Sequence, residues 1–130
     1  MSDDAVTWVI AGLEVLTALG IAGFWFSWFR QDHDEPWLPD GYVDHEAPFV
    51  YSDTMLSIVL VAGAVLQVTE EPLGRSLGLV AAGMLAFLGV LDLAYFVRTR
   101  LFRREHNGVA NGVVVASVLT LSVILTLRFA

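Results

Sequence analysis

At 130 residues the chain has the length of one domain, and 56% hydrophobic against 16% charged residues is too apolar for an ordinary soluble one. The absence of Cys excludes disulfides, thiolate metal sites and dithiol redox chemistry. Fourteen acids against seven bases leave a net charge of −7, which opposes a nucleic-acid partner.

A spanning helix needs about 20 mainly apolar residues, and the sequence offers them at 5–29, 50–69, 75–97 and 109–127. The expected fold class is all-α: an integral membrane up-down four-helix bundle, with 1–130 forming a single membrane domain. The first span opens on Ser2, Asp3 and Asp4 rather than on a basic stretch. It also exceeds a signal h-region in length, so it is expected to remain in the mature protein. Thr7, Ala11, Glu14, Ala18 and Ala22 or Trp25 recur on one face of this helix. Trp8 near one end, and Trp25, Trp28 and Phe29 near the other, are expected where rings meet headgroups.

The connection 30–49 carries Asp32-His33-Asp34 and Asp44-His45-Glu46 on either side of Trp37, Pro39 and Gly41. Imidazole and carboxylate are metal-ligand types. Adjacent residues of an extended segment point to opposite sides, however, and the spacing matches neither HExxH nor a calcium loop. The segment reads as a hydrated acidic loop, with Trp37 and Tyr42 folding it back onto the interface. No metal or other cofactor is assigned.

In the second span Asp53, Ser57, Leu60, Ala64 and Gln67 share a helix face; in the third, Gly78, Ala82, Leu85, Gly89, Asp92 and Phe96 do. The small members let another helix approach closely. A charge inside a span costs about 2.5–3.5 kcal/mol on insertion scales, so each acid is expected to face protein or water. A hairpin turning near Pro72 puts Asp53 level with Leu91 and Asp92, where two close carboxyls can share a proton. The Asn111 amide and the Tyr95 hydroxyl are expected to hydrogen-bond at the same level. The candidate polar intramembrane site is therefore Asp53, Asp92, Tyr95 and Asn111, with Glu14 a separate, deeper acid. It suits a proton, a small cation or a ligand's amine. No catalytic residue is assigned, since GxSxG, Walker A and dinucleotide fingerprints are absent.

The loop 98–108 is basic and reads as a topology signal in contact with headgroups. Together with Arg30 it places Arg98, Arg100, Arg103 and Arg104 on one side, against Arg75 and Arg128 on the other. The positive-inside rule then gives a multi-pass protein of the cell membrane with both termini outside.

Through Phe49-Val50-Tyr51-Ser52-Asp53 and Gly89-Val90-Leu91-Asp92-Leu93-Ala94-Tyr95, the chain resembles a group of small four-span prokaryotic membrane proteins without established activity. The resemblance implies a four-helix membrane bundle in which Asp53 and Asp92 are the first positions to test. The acidic, Lys-free composition is similar to that of proteins from salt-loving archaea, which implies stability that depends on concentrated salt. The leading expectation is a non-enzymatic structural or accessory subunit whose partners are the lipid bilayer and either a homo-oligomer or a larger membrane complex. The alternative is a proton- or cation-coupled small transporter or channel using Glu14, Asp53 and Asp92. A membrane enzyme built on the loop carboxylates with His33 or His45 is the third reading.

Overall fold

The computed structural model describes residues 2–103 and 106–130, so Arg104, counted above in the charge asymmetry, lies outside the described residues. Among these residues every regular element is helical: α1 (Asp3–Arg30), α2 (Tyr42–Glu46), α3 (Phe49–Val68), α4 (Pro72–Arg98) and α5 (Gly108–Phe129). Asp3–Arg30, Tyr42–Val68, Pro72–Arg98 and Gly108–Phe129 are each long and apolar enough to cross a membrane. The expected all-helical class and its four long apolar helices are present.

Helix ends follow local chemistry. The Ser2 side chain accepts from the Ala5 N–H, Asp3 and Asp4 occupy the first turn of α1, and Arg30 the last, all favourable to the helix dipole. At the end of α3, Glu70 takes a left-handed conformation (φ 61°). The Glu71 N–H then reaches back to the Leu66 carbonyl at 2.8 Å and the Glu70 N–H to that of Gln67 at 3.2 Å. These two bonds satisfy carbonyls that the helix end would otherwise orphan. Pro72 starts α4 immediately afterwards, where its missing N–H costs nothing. The same left-handed closure recurs at Arg100 after α4, with the Leu101 N–H on the Phe96 carbonyl at 2.9 Å.

The tight link folds α4 back along α3. In the resulting packing α3 meets α1 and α4, α4 meets α3 and α5, and α1 touches α5 only slightly. The core runs through Leu56 and Leu60, Ala81, Ala82 and Leu85, and Leu121 and Leu125. The Ser122 hydroxyl donates to the Ala82 carbonyl at 2.7 Å across the α4–α5 contact. At one end of the molecule Arg128 binds Asp3 at 2.9 Å, and Arg75 Nε donates to the Phe129 carbonyl at 2.6 Å. At the other end Trp37 stacks on His106 with centroids 5.0 Å apart, joining the two longer loops.

Two expectations are corrected here. The segment 30–49 is more than a hydrated connection: it contains α2, and His33 and His45 are half-buried against Trp28 and Tyr95. Trp25 and Trp28 belong to the interior rather than to a headgroup belt, being 6% and 7% exposed, whereas Trp8 and Phe29 do face outward. An indole at a helix end suits either setting, and here its N–H finds a protein partner.

Close backbone approach is required at Gly74, where an added Cβ would lie 2.6 Å from the Gln67 backbone nitrogen. Gly74→Ala is expected to lower stability by about 1–3 kcal/mol, because backbone cannot swing aside as a side chain does. Gly83→Ala, with nothing within 4 Å of its Cβ position, is expected to be neutral or stabilising by up to about 1 kcal/mol. Thermal unfolding in detergent checks the pair; equal effects would contradict the close contact.

Candidate functional site

Asp53 lies on the buried face of α3, at the end of the bundle where the longer loops meet, and is 8% exposed. Its Oδ2 accepts a hydrogen bond from Trp25 Nε1 at 2.8 Å. Its Oδ1 is buried and has no hydrogen-bond partner among the described residues. A chain of aromatic contacts fixes the indole that serves it. Trp28 packs edge-on against Trp25 at 5.2 Å, donates through Nε1 to the Tyr42 hydroxyl at 3.3 Å, and is covered by the stacked ring of His33 at 4.2 Å. The short helix α2 thus closes one end of the site.

Beside Asp53 a cavity of about 340 Å³ occupies the space that α1 and α5 leave between them. Thr17, Gly20 and Phe24 line it from α1, Asn111, Val114 and Ser117 from α5, and Leu88, Asp92 and Phe96 from α4. Phe49 and Asp53 come from α3, and Glu46 from α2 brings a third carboxyl. Glu46, Asp53 and Asp92 thus bring three carboxyls to one cavity.

The residues singled out in the sequence have different fates. Asp53, Asp92 and Asn111 all line this cavity. The Asn111 amide does not serve the acids, however; it donates to the Leu101 carbonyl at 2.6 Å and so ties Leu101 to α5. The Tyr95 ring stacks on His45 at 3.9 Å, on the α2 side of the site, rather than lining the cavity with Asp92. Glu14 sits apart, as counted, and is 0% exposed. Its Oε1 accepts from Gln67 Nε2 at 3.1 Å, and the same nitrogen donates to the Gly74 carbonyl at 3.1 Å. Glu14 Oε2 and Gln67 Oε1 are buried with no partner among the described residues. Between this pair and the cavity acids lie the fully buried side chains of Leu56, Leu60 and Leu85.

Two contributors escaped the site reading. Trp25 stood on the Glu14 face of the first span, and that register was its signal. Glu46 carried none, since its place depends on how α2 folds over the bundle end. Among the described residues no group of three or more His, Asp or Glu side chains is arranged to hold a metal ion.

Removing the indole donor by Trp25→Phe is expected to cost about 1–3 kcal/mol, because a buried carboxyl oxygen loses its partner. Asp53→Asn is expected to be milder than Asp53→Ala, since the amide carbonyl still accepts from Trp25. Combining Trp25→Phe with Asp53→Ala should cost less than the sum of the singles by about 0.5–3 kcal/mol, as for residues in contact. Thermal unfolding of the four variants measures this, and strict additivity of Trp25→Phe and Asp53→Ala would contradict the bond. The meaning of the site rests on its own chemistry, for no family model matches the chain, nor does any curated protein or solved structure.

Proposed function

We propose that the chain is a multi-pass membrane protein of non-enzymatic role: an up-down four-helix bundle with both termini outside, acting as a structural or accessory subunit. It works in a homo-oligomer or a larger membrane complex. The observation carrying this reading is the break between its polar groups. A carrier that passes protons or cations along Glu14, Asp53 and Asp92 needs polar side chains in series, and along α3 and α4 the fully buried Leu56, Leu60 and Leu85 stand between Gln67 and the cavity acids.

The outer surface supports the membrane setting. Leu16, Ile58, Phe87 and Leu127 are each more than 60% exposed, a cost in water but not in lipid. Gly12 and Gly23 on α1 have nothing within 4 Å of their Cβ positions, which leaves room for a helix of another subunit. The acid excess and missing Lys fit concentrated salt as the working medium. A cation-coupled transporter is the second reading, favoured by the three carboxyls at the cavity; it requires another state in which the leucine layer parts.

The chain has no Cys of its own, so single introduced thiols report cleanly. Asp40→Cys and Arg103→Cys are expected to react with an impermeant reagent only after the membrane is opened, and Ser2→Cys in intact cells. Outside labelling at Asp40→Cys would overturn the orientation. For the subunit role, light scattering in mild detergent is expected to give a protein mass above the 14.2 kDa of one chain. A single chain extracted alone from native membranes would contradict it.

A further inference from the structure

We infer that the cavity between α1 and α5 binds an organic ammonium ion, its charge offset by the carboxyls of Glu46, Asp53 and Asp92 along the lining and its apolar body sheltered by the aromatic wall. This rests on the membrane bundle proposed above and adds a ligand to it.

Asp53 gives the first reason. It is more than nine-tenths buried, yet one carboxyl oxygen has no protein donor although the other is held at 2.8 Å by Trp25. A buried carboxylate left in that state is costly, and a cation in the cavity that Asp53 lines would offset its charge. Charge gives the second. Three carboxyls face one space whose described lining contains no Arg or His to neutralise them, so a cation is the complementary occupant. The third lies in the walls. Phe24, Phe49 and Phe96 line the same cavity, and aromatic faces attract ammonium groups while sheltering the carbon attached to them.

An inorganic ion fits less well. A hard cation such as calcium takes about six to eight oxygen ligands, and no cluster among the described residues is arranged for a metal. The volume of about 340 Å³ and the mostly apolar lining instead match a small organic molecule with one polar end. Because α1 and α5 scarcely touch, the ligand has a way in from the side without any opening of the core.

The probe is 2-phenylethylammonium, with 2-phenylethanol as its uncharged counterpart, measured by equilibrium dialysis on the full chain in detergent against detergent alone. Saturable binding of one ammonium per chain is expected, with the alcohol about tenfold weaker or worse. Asp92→Asn should weaken the ammonium by a similar factor. Gly20→Leu should abolish binding while the chain stays folded, because nothing lies within 4 Å of that Cβ position and a side chain can grow into the cavity. Absence of saturable binding to the unaltered chain, equal binding of the alcohol, or undiminished binding to Gly20→Leu would each overturn the inference. Alkaline extraction of membranes keeps the two readings apart. A chain that resists extraction but does not bind rejects the ligand alone, whereas a chain released by alkali rejects the membrane bundle itself.

Discussion

The close approach of α4 to both of its neighbours sets the geometry of the molecule. An added Cβ at Gly78 would collide with the Phe129 ring, and one at Gly89 with the Leu119 side chain. These absent methyl groups let α5 pack hard against one flank of α4, and Gly74, where a Cβ would meet the backbone of Leu66 and Gln67, does the same for the end of α3. Where lipid supplies no hydrophobic drive between helices, such contact is the main source of attraction. With α4 central and α1 committed to α3, the α1–α5 side stays loose, and the cavity is the consequence.

Burial then separates the acids. Glu14 is closed off by Gln67, which also ties the α3–α4 link through the Gly74 carbonyl. This acid serves the packing of that end. Asp53 is held by one indole and lines the cavity together with Asp92 and Glu46. Each acid has one donor and one buried oxygen without a partner among the described residues; the cavity that Asp53 lines, and Glu14 does not, is what separates them.

Much of this was legible from helical period alone. The spacing of Gly78, Ala82, Leu85 and Gly89 marked the inner face of α4, and all four are buried. Counting through a turn at Pro72 put Asp53 and Asp92 level, and both line the cavity. Other features had no periodic trace. The fold of α2 depends on a left-handed Gly41 and on aromatic contacts with distant residues, so Glu46 looked like one more loop acid. Trp28 at the end of a span satisfies the rule for headgroups as well as the rule for cores, and only the Tyr42 hydroxyl decides between them. Asn111 was placed at the right level, but its amide was claimed by a loop carbonyl that sequence spacing does not locate.

The central claim is that an open, negatively charged cavity lies between α1 and α5. Ser117 lines its open edge from α5, and the chain is free of Cys, so Ser117→Cys places a single thiol at its mouth. The direct measurement is its rate of reaction with a cationic and with an anionic methanethiosulfonate of similar size. The cationic reagent is expected to react faster by about tenfold or more, since a low-dielectric cleft of one sign concentrates counter-ions. That preference should collapse when Asp53→Asn and Asp92→Asn are combined. Equal rates for the two reagents, or a preference untouched by removing the carboxylates, would contradict the account.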